Sequence, residues 1–182
     1  MRGVAPGAVA VHLREKDLGG AALLALARAL ASVCERAGQL LLVNDRVDVA
    51  IAAGAHGVHL PGAGLPPQEA RRLLGSGRLV GVSCHGEEEV RRALAGGADF
   101  ATFGPVFETP SKRAYGQPVG LEALGRAARL GLPLVALGGV DPENASRPMA
   151  AGAQGVAAIR AWLAAGDPAR AVAALVAASR AG

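Results

Sequence analysis

Short apolar runs alternate with longer amphipathic stretches along the whole chain, and this alternation constrains the fold more than any other feature. The apolar runs lack polar residues at alternate positions, as is typical of strands that are covered on both faces. Regular alternation of such strands with helices predicts an α/β fold with a parallel sheet. The predicted strands are 9–13, 40–43, 57–60, 79–82, 100–103, 134–137 and 155–159, and the predicted helices are 21–37, 46–53, 67–75, 86–96, 120–130, 142–151 and 168–181.

The pattern contains seven strands and seven helices, whereas a complete (β/α)8 barrel needs eight of each. Residues 1–7 are too few to supply the missing strand and helix. The chain is therefore either an open sheet or a TIM (β/α)8-type barrel that lacks its first βα unit, with residues 1–182 as a single domain. Loss of that unit would expose the edges of strands 9–13 and 155–159, so the chain should either pair with a second copy, as a homo-oligomer, or be poorly stable.

Composition excludes several classes of function. The net charge of +4 comes from arginines scattered along the predicted helices without interleaved aromatic residues, which argues against nucleic-acid binding. The sequence shows no signal peptide and no apolar run long enough to span a membrane, so we expect no membrane partner. Cys34 and Cys84 lack metal-ligand spacing and form no disulfide framework, which favours a reducing, cytoplasmic location.

Polar residues follow the first two apolar runs, at the strand ends where α/β folds place active sites. Arg14 and Lys16 are two apart on an extended segment, so they could grip one anion, or they could belong to a solvated loop. Asp45 could bind Mg²⁺ through one carboxylate while substrate phosphates supply further oxygens. Alternatively, Asn44 or Asp45 could cap the helix that follows.

Three later segments suit the binding of a phosphate. Gly138 and Gly139 follow one strand, and the neighbouring strand ends at Ile159 and Arg160, an arrangement that matches the phosphate site of barrels. The long loop 104–112 contains Thr109, Ser111 and Lys112, which suit a lid over an anion as well as an ordinary surface loop.

For the other serine, cysteine and histidine residues at strand ends, the sequence gives less indication of a catalytic role. Ser83, Cys84 and His85 follow the fourth apolar run, but no acidic residue is assignable as the orienting partner of a Ser–His pair. His56 and His59 lie on one short strand without a third metal ligand in register. Structural roles are the simpler interpretation of His56 and of Cys34.

Taken together, these motifs resemble those of the thiamine-phosphate synthase and TenI superfamily over about residues 9–163. The resemblance implies a closed barrel that here lacks its first βα unit. The segments that carry it are His-Leu-Arg-Glu-Lys at 12–16, Val-Asn-Asp-Arg at 43–46, Gly-Val-His-Leu at 57–60, Gly-Val-Ser at 81–83, Gly-Pro-Val-Phe-Glu-Thr-Pro-Ser-Lys at 104–112 and Ala-Leu-Gly-Gly-Val at 136–140.

The resemblance implies a role for each matching residue. In the synthase, hydroxymethylpyrimidine diphosphate ionises and the nitrogen of thiazole phosphate traps the resulting cation, with release of pyrophosphate. Asp45 would bind Mg²⁺, and Thr109, Gly139 and the backbone near Ile159 would hold the thiazole phosphate. The pyrophosphate would be held by Arg14, Lys16, Asn44, Ser83 and Lys112.

Three positions depart from the pattern of the synthase. Gly64 stands where the synthase has a second Mg²⁺-binding aspartate, His12 replaces a glutamine, and Arg160 replaces a serine near the thiazole phosphate. Pro105, however, is synthase-like, because a TenI tautomerase would have a histidine there. The sequence therefore predicts a synthase, with a TenI-like tautomerase or thiamine-phosphate-binding protein as one alternative and a non-catalytic barrel as another.

Overall fold

The computed structural model describes residues 4–109 and 117–180, and within them seven strands alternate with eight helices. The strands are β1 (Ala10–Leu13), β2 (Leu40–Asn44), β3 (Gly57–Leu60), β4 (Leu79–Cys84), β5 (Phe100–Phe103), β6 (Leu134–Leu137) and β7 (Gly155–Ala157). The helices are α1 (Gly20–Arg36), α2 (Val47–Ala52), α3 (Pro67–Leu74), α4 (Glu87–Ala95), α5 (Gly120–Ala128), α6 (Ser146–Ala150), α7 (Arg160–Leu163) and α8 (Pro168–Arg180). Strand order in the sheet follows chain order from β1 to β7.

The chain divides into two compact units. The N-terminal unit comprises Val4–Val82 and Gly96–Asp99, and the C-terminal unit comprises Ser83–Ala95 and the described residues from Phe100 onward. Within the N-terminal unit, β1, β2, β3 and β4 pair in parallel. Within the C-terminal unit, β5, β6 and β7 do the same. Parallel pairing brings the carboxyl ends of the strands of each unit to one edge, where the candidate residues lie.

Aliphatic side chains form the core of the N-terminal unit, because aromatic residues are only 3% of the sequence. Leu41, Val58 and Val80 are completely buried, and each such side chain contributes about 1.5–3 kcal/mol through burial. At the opposite end from the candidate residues, the buried amide of Gln39 accepts the Val9 N–H at 2.8 Å and donates to the Ala5 carbonyl at 3.0 Å. These bonds tie the segment before β1 to the start of β2.

The C-terminal unit packs around Phe103, Leu124 and Leu134, which are fully buried. Its last strand is shorter than the sequence predicted, because β7 ends at Ala157 and the chain turns into α7 at Arg160. A helix of four residues is too short to show a helical period, and for that reason the apolar pattern missed it. Among the described residues, no helix is long and apolar enough to cross a membrane.

Candidate functional site

Candidate residues lie at the strand ends of both units, and the two groups are described separately. The aspartate cluster belongs to the N-terminal unit and consists of His12, Asn44, Asp45, His59 and Gly64. The glycine cradle belongs to the C-terminal unit and consists of Gly104, Thr109, Gly138, Gly139 and Arg160.

Asp45 has a left-handed backbone conformation, with φ of 61°, and no other non-glycine residue of the described ranges has a positive φ. Its N–H donates to the His59 carbonyl at 3.0 Å, and the Arg46 N–H donates to the Asn44 carbonyl at 2.6 Å. This conformation costs roughly 1–2 kcal/mol for most residues other than glycine, asparagine and aspartate, and non-glycine residues that adopt it concentrate at functional sites.

Neither Asn44 nor Asp45 caps the following helix. Arg46 occupies the N-cap position of α2, and no side chain supplies a capping hydrogen bond there. Arg46 instead pairs with Asp48 at 2.7 Å. Of the two interpretations of Asn44 and Asp45, helix capping is therefore wrong, so neither side chain is held by the start of α2.

Gly64 faces the Asp45 carboxylate. A Cβ atom built on Gly64 would lie 3.2 Å from Asp45 Oδ1 and 2.8 Å from Pro61 Cδ. Position 64 is therefore placed for a second carboxylate, but the glycine supplies none. The described residues contain no group of three or more metal-binding side chains. A single aspartate still fits Mg²⁺, which commonly takes one or two carboxylates and completes its shell with water and substrate phosphate oxygens.

Two imidazoles line the aspartate cluster. The ring centroids of His12 and His59 are 4.6 Å apart, and Asn44 pairs with His59 across β2 and β3. Burial, reinforced by His12, lowers the pKa of His59 to about 3. Burial and the charge of Arg14 also lower the pKa of His12, and a hydrogen bond with the Asn44 side chain opposes this shift. The side chain of His12 is more exposed than that of His59. Both rings are therefore neutral at neutral pH.

The positive charge of this region lies in the loop after β1. Arg14 and Lys16 are exposed and form no ion pair with another described residue. Since the neighbouring histidines are neutral, Arg14 and Lys16 supply the positive charge with which an anion at the end of β1 could pair. Their exposure suits both the anion-binding and the solvated-loop interpretations.

The two central glycines of the glycine cradle are required by the loop that packs on them. Gly138 and Gly139 have φ of 100° and 67°. A Cβ atom on Gly138 would lie 2.5 Å from Pro105 Cβ, and one on Gly139 would lie 2.6 Å from the Glu108 carbonyl oxygen. The loop is held there because the Phe107 N–H donates to the Gly138 carbonyl at 3.0 Å. Any larger residue would push the loop away from the end of β6.

Hydrogen bonds fix one carbonyl of the cradle and leave two of its N–H groups without a partner among the described residues. The Gly139 carbonyl accepts a hydrogen bond from Asn144 Nδ2 at 2.9 Å, and Asn144 is itself fixed by reciprocal bonds with Asp141. The N–H groups of Gly139 and Arg160 donate to no residue that the structure describes. N–H groups of this kind, at glycine turns and at the start of a helix, suit an anion.

Thr109 and Arg160 meet beside the cradle. Arg160 Nη2 lies 3.4 Å from Thr109 Oγ1, and Thr109 is 8% exposed. The structure thus brings together two residues that are 51 positions apart in the sequence. Ile159 precedes Arg160 at the N-cap of α7 and is largely exposed. Ser111 and Lys112, the other candidates of this loop, lie outside the described residues.

The end of β4 carries Ser83, Cys84 and His85. Ser83 is half-buried, whereas burial raises the pKa of the Cys84 thiol to about 11, so that this cysteine is a protonated core residue and not a nucleophile. His85 Nδ1 lies 2.5 Å from the Gly104 carbonyl oxygen. The role of Gly104 was missed in the sequence, where its only signal is a glycine directly after an apolar run. His56 is structural, as predicted, because its Nδ1 accepts the Leu41 N–H.

Comparison with known proteins gives a consistent result. The family model described as thiamine monophosphate synthase matches residues 2–162. A putative thiamine-phosphate synthase of Geobacter sulfurreducens is 54% identical over 166 residues, which cover 91% of this chain and 78% of the relative. The thiamine-phosphate synthase of Moorella thermoacetica is 44% identical over 170 residues, which cover 92% of this chain and 80% of the relative.

A solved structure is similar along nearly the whole chain. The thiamine phosphate pyrophosphorylase from Pyrococcus furiosus matches with a TM-score of 0.87 and 30% identity, covering 96% of this chain and 84% of that protein. This match and the sequential parallel strands confirm the predicted α/β fold of the TIM type.

Proposed function

This chain belongs to the thiamine monophosphate synthase family and is an enzyme of thiamine biosynthesis, and we propose that it joins hydroxymethylpyrimidine diphosphate to thiazole phosphate. In this reaction the carbon–oxygen bond to the pyrophosphate breaks, and the thiazole nitrogen forms a bond to the same carbon. The products are thiamine phosphate and pyrophosphate. The observation that carries the proposal is the strained turn at Asp45, which frees a carboxylate from helix capping at the end of β2.

The leaving pyrophosphate needs positive charge and hydrogen-bond donors where its own charge develops. Arg14 and Lys16 supply cations without a competing ion pair from another described residue. Asn44 and Ser83 supply donors from the ends of β2 and β4. Lys112 completes the proposed set from the loop after β5, outside the described residues.

Asp45 is the proposed Mg²⁺ ligand. When bound, Mg²⁺ neutralises charge on the pyrophosphate oxygens as the leaving group departs. Because Gly64 supplies no second carboxylate, we infer that Mg²⁺ binds weakly to the free protein and mainly together with the diphosphate.

The glycine cradle is the proposed site of the thiazole phosphate. The N–H groups of Gly139 and Arg160, which donate to no described residue, would donate to its oxygens, as would the hydroxyl of Thr109. Gly138 and the backbone at Ile159 shape the two turns, and the guanidinium of Arg160 adds a positive charge where the superfamily has a serine. Charge-assisted hydrogen bonds from arginine to phosphate are stronger than those of a neutral hydroxyl.

A second candidate function has some support from the aspartate cluster. Gly64 removes a carboxylate and His12 replaces a glutamine, and both changes favour a TenI-like tautomerase or a thiamine-phosphate-binding protein. Pro105 argues against the tautomerase function, because it occupies the position where a TenI tautomerase would have a histidine. The cytoplasmic location, the homo-oligomer and the absence of nucleic-acid partners stay predictions.

One assay separates these functions. The purified protein is incubated with hydroxymethylpyrimidine diphosphate, thiazole phosphate and Mg²⁺, and thiamine phosphate is quantified by chromatography. We expect product with Mg²⁺ and little with excess chelator. The enzyme with Asp45→Asn serves as the matched control. Absence of product from a folded protein that still binds thiamine phosphate would support the second candidate instead.

A further inference from the structure

His85 is held at both its main chain and its ring. Its N–H donates to Glu89 Oε2 at 2.6 Å, and its Nδ1 lies 2.5 Å from the Gly104 carbonyl oxygen. A carbonyl oxygen can only accept a hydrogen bond, so Nδ1 carries the proton of this contact. In the neutral ring, Nε2 is then the unprotonated nitrogen.

The carbonyl that accepts the hydrogen bond from His85 belongs to Gly104, the first residue of the loop that packs on the cradle. Gly104 follows β5 directly, and a Cβ atom there would overlap the Leu137 carbonyl oxygen, so the main chain lies against the end of β6. Two residues later, the Val106 N–H donates to the same Leu137 carbonyl at 2.9 Å. A rotation of the Gly104 peptide would therefore displace the loop from β6.

We propose that His85 is a positioning residue of this enzyme: by donating Nδ1–H to the Gly104 carbonyl, it holds the loop that carries Thr109 against Gly138 and Gly139. The consequence for catalysis rests on the proposed function, since the loop faces the proposed site of the thiazole phosphate. The ring itself touches no substrate in this role. It neither accepts nor gives a proton during the reaction.

Two amide substitutions distinguish this role from direct chemistry by the ring. In His85→Asn, the amide nitrogen can take the place of Nδ1 and donate to the Gly104 carbonyl. In His85→Gln, the amide nitrogen falls near the position of Nε2 and cannot make that bond in the same way. We expect His85→Asn to retain kcat/KM within about threefold of the unmodified enzyme, because small losses of hydrogen-bond quality cost under 1 kcal/mol.

His85→Gln and His85→Ala should lose much more. Misplacement of a binding group by about 1 Å can cost on the order of 100-fold in rate, and we expect a loss of that size in kcat/KM. The KM for thiazole phosphate should rise while the KM for the pyrimidine diphosphate changes little. Retention by His85→Gln with loss in His85→Asn would overturn the proposal, because it would place the function at Nε2. Equal activity of all three variants would overturn it as well.

Two further readouts test the positioning, and the first of them needs only the unmodified protein. Nitrogen-15 NMR of the unmodified protein should show a protonated Nδ1 and an unprotonated Nε2 for His85, and the opposite tautomer would contradict the proposal. Because the ring exchanges no proton with the substrates in this role, the pH profiles of the unmodified enzyme and of His85→Asn should coincide. If the protein makes no thiamine phosphate, the proposed function fails, but the NMR result still decides the tautomer and hence the contact.

Discussion

The aspartate cluster and the glycine cradle both lie at strand ends, yet one depends on a side chain and the other on the absence of side chains. At Asp45 a residue with a Cβ atom is forced into a left-handed conformation, so that its carboxylate is presented. At Gly138 and Gly139 positive φ angles are taken up by glycines, so that a loop can approach where a Cβ atom would lie. Substitutions should therefore change chemistry in the aspartate cluster and geometry in the cradle.

The largest effect is expected for Gly139→Ala. The added Cβ atom would meet the Glu108 carbonyl oxygen at 2.6 Å and Phe107 Cβ at 2.7 Å, and φ is 67°. Overpacking and the left-handed conformation together should lower the free energy of unfolding by about 2–4 kcal/mol. The matched control is Gly131→Ala, which has φ of 91° but open space around its Cβ position. Denaturant unfolding measures both, and equal losses would show that the loop does not press on Gly139.

Asp45→Asn should change activity with little change in fold. Asparagine tolerates the left-handed conformation, so the turn survives while the charge on the proposed metal ligand is lost. We expect a loss of roughly 100-fold in Mg²⁺-dependent kcat/KM. Asp48→Asn is the control, because Asp48 is exposed and pairs only with Arg46 among the described residues. Similar losses in both variants would indicate a general effect of charge.

Acid should destabilise the protein through His59. The ordinary pKa of 6.5 falls to about 3 in the folded protein, so below pH 6.5 the unfolded chain binds more protons than the folded one. Stability is then complete above pH 6.5 and declines towards pH 3, by up to about 1.4 kcal/mol per pH unit. His59→Gln should show a shallower decline when unfolding is measured from pH 7 to 4.5. Parallel curves would mean that His59 is not buried in its neutral form.

The smallest effect is expected from restoring the second carboxylate. Gly64→Asp alone would place its Cβ atom 2.8 Å from Pro61 Cδ, so the substitution is best made together with Pro61→Gly. Since position 64 faces Asp45, the double variant should bind Mg²⁺ about tenfold more tightly, measured by calorimetry and by the Mg²⁺ dependence of the rate. Pro61→Gly with Gly64→Asn controls for the shape of the added side chain. An unchanged Mg²⁺ affinity would show that Asp45 is not a ligand of the metal.

Much of the fold could be predicted because its elements are local. The strand and helix bounds agree with the apolar pattern to within one or two residues in most elements, since buried parallel strands are continuous apolar runs. The exceptions are α6 and α7, where the chain turns too tightly for a period to show. Residues 142–145 form turns organised by Asp141 and Asn144 before α6 begins at Ser146.

The candidate site could be predicted in its residue types but not in its contacts. Arginine, lysine, aspartate and glycine at strand ends are visible because the alternating pattern shows where each strand stops. Whether Asp45 caps a helix could not be read from the sequence, because capping depends on backbone angles at Asp45 and Arg46. The contact between His85 and Gly104 was equally hidden, since it joins residues that follow different strands.

The sequence by itself determined the alternating α/β plan, the family and the identity of the candidate ligands, because these depend on hydrophobic period and on ordered motifs. Tertiary structure alone decided which of these residues face each other. Gly64 meets Asp45, Arg160 meets Thr109, and the loop after β5 rests on Gly139. Such pairs form where separate strands end at one edge of a sheet, and their distances follow from packing rather than from separation along the chain.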